Sequence, residues 1–247
     1  MPPTTPMMKQ YDEAKRACPD ALLLFRMGDF YELFHDDAKT AARTLGLALT
    51  SREKGENAVP MAGFPHHQLE GYLGKLIAAG FRVAVCDQVE DAKQAKGLVR
   101  REVTRVVTPG TVTDEALLDP RQSNYLASIA PGDPAGAAWV ELSTGRFVAA
   151  TLPARQLADS LARLGPSECL VAESAESFPG HLADQVMNTR RPDWAFALNT
   201  ARDALAQHFG TAGLDGFGFG VDDGPAVRAA GALLVDLAET QRLGLMH

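Results

Sequence analysis

Cysteine is scarce in this chain: three in 247 residues, Cys18, Cys86 and Cys169, with no CxxC pair among them. That spacing excludes a disulfide framework and a thiolate zinc site, and it fits a reducing compartment. No apolar run approaches 18 residues, so no membrane span is expected. The first ten residues lack the apolar stretch of a secretory leader. Lysine is absent beyond Lys96. No GxxxxGK[ST] occurs; Gly74-Lys75 has Leu69 and Leu76 where that motif needs Gly and Ser or Thr.

What is present is ordinary globular material, 46% hydrophobic and 22% charged, long enough for two domains. The net charge of −7 argues against tight nucleic-acid binding by counterion release. Its distribution is uneven. Residues 1–110 carry fifteen Lys/Arg against fourteen Asp/Glu, and residues 111–247 carry nine against seventeen. The two halves therefore suit different partners, and only the first could face phosphates.

Hydrophobic spacing predicts an α/β first half. A helix over 6–17 has Pro6 in its first turn and Thr5 as cap. Leu22, Leu23, Leu24 and Phe25 form a buried strand, 26–29 a tight turn, 30–34 a second strand or extended loop, and 36–45 a helix ended by Gly46. A strand is expected over 47–50 and a loop over 51–63. Leu69, Tyr72, Leu73, Leu76 and Ile77 mark one face of a helix. Strands follow over 81–86 and 99–107, then a turn at 108–111.

The second half reads as strands over 125–130, 137–142 and 146–151, a helix over 154–164, and a strand over 169–172. A helix over 201–209, capped by Thr200, precedes the glycine-rich turns of 213–220, and a last helix runs from Pro225 to about residue 243. Strands that pair and then alternate with helices suggest an RNase H-like layout. The last helix reaches almost to His247, which suggests the front portion of something longer.

Phe30 and Glu32 carry the functional signal. In an extended segment they point to one side. A Phe beside a glycine turn can wedge into a base step from the minor groove, and opening costs least where pairing is defective. Glu32 can bond a base edge while repelling phosphates, which penalises intact DNA. On the residues alone, a strand with Phe30 in the core and Glu32 at its edge is the stronger reading. Arg100 and Arg101, with Lys93, Lys96 and Arg105 nearby, are candidate phosphate contacts, as are Arg52 and Lys54, although Asp87, Glu90, Asp91 and Glu102 interleave with them. His66 and His67 point about 100° apart on a helix and make poor joint metal ligands, so a cap or surface role is expected. Glu141 has Ser143 and Gly145 at its same-side positions, which leaves an RNase H-like nuclease without a second carboxylate close by.

The ordered segments FRMGDFYELF, DDAK, PMAGFPHH over 60–67 and VTPGT over 107–111 resemble the mismatch-recognition domain of the bacterial MutS family of DNA mismatch repair proteins. ELSTGRF over 141–147 and NTARDALAQHFGT over 199–211 resemble its connector domain. The resemblance implies a mismatch-recognition domain over 1–111, a linker over 112–123 and an RNase H-like connector over 124–247. It implies that Phe30 stacks at a mispaired or unpaired base and that Glu32 bonds it. Met27, Asp29 and Tyr31 would shape the loop, and Pro60 and Met61 would lie near DNA. The implied partners are mismatched double-stranded DNA, a MutL-type repair protein engaged through the connector, and further copies of the full-length protein. ATP and Mg belong to a C-terminal domain of the family, which leaves these residues with no catalytic group, metal or cofactor of their own. The implied location is the cytoplasm, at the nucleoid when on DNA. A protein-docking module is the alternative from another class; the helix over 201–209, with Asp203, Ala204 and Gln207, is one candidate surface.

Overall fold

The computed structural model describes residues 5–51, 58–90, 97–114, 117–119, 121–175, 178 and 186–245. It separates into two compact units, Met1–Thr108 with Thr240–His247, and Pro109–Glu239. None of the described helices is long and apolar enough to cross a membrane.

The first unit opens with α1 (Pro6–Ala17), whose first turn is capped by Thr5 Oγ1 accepting from the Met8 amide at 3.3 Å. Strands β1 (Leu22–Met27) and β2 (Phe30–Phe34) follow as a hairpin, then α2 (His35–Leu45). Gly46 ends α2 in the left-handed region, at φ 69°. The remaining elements are β3 (Thr50–Ser51), β4 (Pro60–Pro65), α3 (Leu69–Ala78), β5 (Val83–Gln88) and β6 (Arg101–Val107). The sheet order is β3-β4-β2-β1-β5-β6. Only β1 and β5 run parallel, so the sheet is mixed.

Alternation along the strands sends side chains to two covered faces. On one, Tyr11 of α1 meets Phe25 and Phe34 edge-on, at 5.6 and 5.0 Å between ring centres. On the other, Tyr72 of α3 stacks on Phe64 at 4.3 Å, and Phe64 neighbours Tyr31. Asp37 fastens α2 to both neighbours: it pairs with Lys15 of α1 at 2.9 Å and accepts the Leu23 amide at 3.0 Å.

Two expectations are corrected here. The strand expected over 47–50 shrinks to Thr50–Ser51, and the loop expected over 51–63 gives way to β4 from Pro60 onward. Pro60 sits at the strand's first residue, where its missing N–H does least harm. Ala62 and Phe64, each 1% exposed, supply the inward face that the proline and glycine obscured.

The second unit holds β7 (Tyr125–Ala130), β8 (Ala135–Glu141), β9 (Arg146–Leu152), α4 (Ala154–Leu164), β10 (Glu168–Ala172), β11 (Met187–Arg191), α5 (Leu198–Phe209) and, as far as Glu239, α6 (Gly224–Leu245). The order is β11-β10-β7-β8-β9. Three antiparallel strands lead, and β10 and β11 add on in parallel, the RNase H-like layout. Leu157 and Leu161 of α4 cover one face; α5 and α6 cover the other through Ala201, Leu205, Val227, Ala230 and Leu233. A Cβ at Gly231 of α6 would lie 2.2 Å from the Ala201 Cα of α5, so glycine there sets the helix spacing.

Strand β11 was not among the sequence expectations, because its inward residues are polar. Thr189 donates to the buried Glu168 carboxylate at 2.7 Å, and Arg191 pairs with Asp236 of α6 at 3.1 Å and with Glu239. The Thr200 cap is also corrected. Helix α5 starts earlier, after Ala197, with no side-chain cap, because a 3₁₀ turn at Asp193–Phe196 feeds directly into it.

Candidate nucleic-acid interface

The β1–β2 hairpin turns through Gly28 and Asp29 alone, with Met27 facing Phe30 across it. Gly28 takes φ 58°, a left-handed conformation that favours glycine, although there is open space where a Cβ would go. Both turn carbonyls are tied. Arg26 Nε donates to Gly28 O, while the His66 amide and ring Nδ1 reach Asp29 O at 2.8 and 3.1 Å. The Arg26 guanidinium also lies over the Tyr31 ring, 5.5 Å from its centre.

Tyr31 anchors β2 from the covered side. Its hydroxyl donates to Asp87 Oδ1 at 2.5 Å, and Thr104 donates to Asp87 Oδ2 at 3.1 Å. Burial, then that bond to a carboxylate, push the Tyr31 phenol well above its ordinary pKa. Tyr31, Leu33 and Phe34 are all buried, yet Phe30 is 47% exposed. The strand thus spends its anchoring residues inside and leaves one aromatic ring at its tip.

Glu32 lies on the Phe30 side of the strand, between Phe25 of β1 and Gly63 of β4, and is half-buried. A Cβ at Gly63 would stand 2.7 Å from Tyr31 O and 3.4 Å from Glu32 Cγ. The absence of a side chain there leaves the Glu32 carboxylate its place.

The supporting residues divide. Asp29 is exposed at the turn, and Met27 is half-buried against the α1 core. Pro60 and Met61 lie in β4 rather than in a loop; Met61 pairs with Phe34 and Thr50 and packs on the same core.

Among the described residues, the cationic candidates Arg100, Arg101 and Arg105 are each engaged differently. Arg52, Lys54, Lys93 and Lys96 lie outside the described residues. Arg101 is committed inside the fold: Nε donates to Arg26 O at 2.6 Å, Nη1 to Val99 O at 2.7 Å and to Gln10 at 3.2 Å, and the guanidinium covers the Phe25 ring at 5.3 Å. Burial draws its pKa down, with Cys86 and Glu32 opposing. Arg100 is exposed beside Glu102 at 3.3 Å, and Arg105 pairs with Glu70 at 2.5 Å.

Sequence reasoning missed Arg26, His66 and Asp87 as parts of this site. No local signal marked His66: Pro65 takes a non-hydrogen-bonded position opposite β2 and His66 the next hydrogen-bonded one. In the second unit, Glu141 spends its carboxylate on Ser123 and Thr144, which hold it below its ordinary range. No group of three His, Cys, Asp or Glu that could hold a metal occurs among the described residues. Helix α5 buries Ala201 and Leu205, half-buries Ala204 and turns Asp203 and Gln207 outward. Beside them Phe209 and Phe217 are 38% and 48% exposed, their ring centres 4.7 Å apart.

Residues 5–116 match the family described as MutS domain I, and residues 124–247 match MutS domain II. A protein of Rhodopirellula baltica named DNA mismatch repair protein MutS is 54% identical over 265 residues, covering 98% of this chain and 30% of its own length. A protein of the same name from Solibacter usitatus is 46% identical over 255 residues, covering 99% of this chain and 28% of its own. The chain thus spans under a third of the length of these relatives.

Proposed function

This chain belongs to the MutS family, and from that premise we propose that it is the part of a DNA mismatch repair protein that recognises mispaired or unpaired bases. Phe30 wedges into the duplex at the defect and Glu32 bonds the displaced base. The observation that carries this reading is a half-exposed phenylalanine on a turn whose two carbonyls are both tied, with a carboxylate on the same side of the strand. Exposed apolar rings are common singly; one held this rigidly at a hairpin tip is built to press on something. The cost of opening a base step falls where pairing has failed, so a fixed wedge converts helix weakness into binding preference.

Arg100 and Arg105 are the described candidates for phosphate contact, each exchanging an acidic neighbour for DNA, and Arg52, Lys93 and Lys96 complete the set. Arg101 acts instead by holding the base of the hairpin. The second unit acts as a connector that passes the DNA-bound state to the rest of the protein and engages a MutL-type partner, for which α5 and the neighbouring Phe209 and Phe217 are the candidate surface. Self-association, ATP and Mg²⁺ enter through the family's other regions, and the setting is the cytoplasm.

The test is equilibrium binding of the intact protein to duplexes with and without a G·T mismatch, by fluorescence anisotropy. Phe30→Ala should reduce the mismatch preference by about fivefold or more, the worth of one aromatic–base stack. Preference retained in Phe30→Ala would sink the wedge.

A further inference from the structure

Strand pairing alone does not hold the probing turn. The β1–β2 ladder ends at Met27 and Phe30, and on the other side Phe30 faces Pro65. The Phe30–Pro65 pair is a non-hydrogen-bonded one, in which the Pro65 nitrogen points away from β2, so the proline costs the ladder no bond to β2. The next residue, His66, supplies two donors: its amide at 2.8 Å and its ring Nδ1 at 3.1 Å, both to Asp29 O. A carbonyl oxygen has two lone pairs and accepts both, and because it only accepts, Nδ1 carries the hydrogen. Any residue but proline could give the amide bond. The ring bond needs a donor at the δ position.

We infer that His66 is a positioning residue for Phe30, an inference that rests on the mismatch-probing reading above. Its ring fixes the Gly28-Asp29 turn before DNA arrives. A wedge already in place spends none of its stacking free energy on ordering itself. A turn that yields would retreat from a paired step and so forgive it, while gaining less at a mispair. Both changes shrink the difference between the two duplexes.

The experiment uses the intact protein carrying His66→Phe, His66→Asn or Phe30→Ala, and reads the ratio of Kd values for paired and G·T duplexes. His66→Phe keeps an aromatic ring and removes the donor; His66→Asn puts an amide nitrogen where Nδ1 was. The ratio should fall about three- to tenfold in His66→Phe, the worth of one net hydrogen bond, and return in His66→Asn. A merely structural role for the ring would not be rescued by the smaller asparagine. If His66→Phe does not fold, His66→Gln, whose amide lies one bond further out, takes its place with the same expected loss. Loss in both His66→Phe and His66→Asn, or in neither, overturns the positioning role. If Phe30→Ala keeps the preference, the wedge reading fails and takes this inference with it. If Phe30→Ala loses the preference while His66→Phe keeps it, only the inference fails.

Discussion

The two units fill their cores in different ways. Of the twelve largest fully buried side chains among the described residues, nine belong to the first unit, Tyr11, Phe25, Phe34 and Phe64 among them, and three, Leu126, Leu170 and Leu205, to the second. The second unit brings backbones together instead, with Ala201, Ala229, Ala230 and Ala232 on or beside the contact between α5 and α6. It also buries Glu168 and Asp236 completely and Arg191 to 8% exposure, whereas Arg82 is the charged residue buried in the first unit among those described. Large side chains can shift rotamers to absorb a change; closely approached backbones cannot. The first unit should therefore tolerate alteration at its working edge, and the second should transmit a disturbance through rigid contacts.

The sharpest way to break this contrast is to add atoms where backbones meet. Gly231→Val places a branched side chain into the Ala201 backbone, 2.2 Å from where its Cβ would stand. Neither helix can move aside without opening the sheet face beneath. The second unit should lose about 3 kcal/mol or more, the upper end of overpacking costs. In calorimetry its transition should fall or vanish while that of the first unit stays. A loss below about 1 kcal/mol would show that α5 and α6 slide freely, and the contrast would be wrong.

Alkali should act on the other unit. Burial raises the pKa of Tyr11, Cys18, Tyr31 and Cys86 in the first unit, and of Cys169 in the second. Each group keeps its proton in the folded unit at pH values where the unfolded chain has lost it. The stability it contributes is whole below the ordinary value and drains as pH rises toward the folded one. For Cys86 that window runs from 9.0 to about 12. At pH 10 this thiol alone should cost the first unit about 1 kcal/mol. Melting followed from pH 8 upward should show the first unit weakening faster; the reverse order would mean that Cys169 outweighs the four groups of the first unit.

How far this design could be read beforehand follows from the same contrast. Apolar periodicity exposes α3 through Leu69, Tyr72, Leu73, Leu76 and Ile77, and exposes β1 through its four apolar residues. It fails at β11, where the inward residues Thr189 and Arg191 bind buried carboxylates and so read as surface. It fails at β4, where Pro60 and Gly63 look like loop residues but sit at a strand start and opposite Glu32. At the candidate site, the strand pattern and glycine turn put Phe30 and Glu32 on one side but left Phe30 in the core as the stronger reading; the family resemblance singled the pair out, and the exposure of Phe30 came only with the fold. Arg26, His66 and Asp87 were not legible. They act through backbone carbonyls or across 56 residues of sequence, as Asp87 does on Tyr31, and no local pattern encodes such a contact. Arg101 was legible as a cation but not as a buried one, since only the fold brings Phe25, Gln10 and the Arg26 carbonyl around it.

The smallest expected effect is at the tip itself. Phe30 is 47% exposed, and the residues that hold its strand, Tyr31, Leu33 and Phe34, are buried independently of it. The turn is tied through the carbonyls of Gly28 and Asp29, neither of which needs the Phe30 ring. Phe30→Ala should therefore shift the stability of the first unit by no more than about 0.5 kcal/mol, the range of surface substitutions. Denaturant melts of variant and parent should nearly superimpose. A loss above about 2 kcal/mol would instead mark Phe30 as a core residue whose exposure is incidental. The same variant would then no longer report on DNA, because lost binding would follow from lost structure. Superimposable melts make any loss of mismatch preference a property of the ring alone.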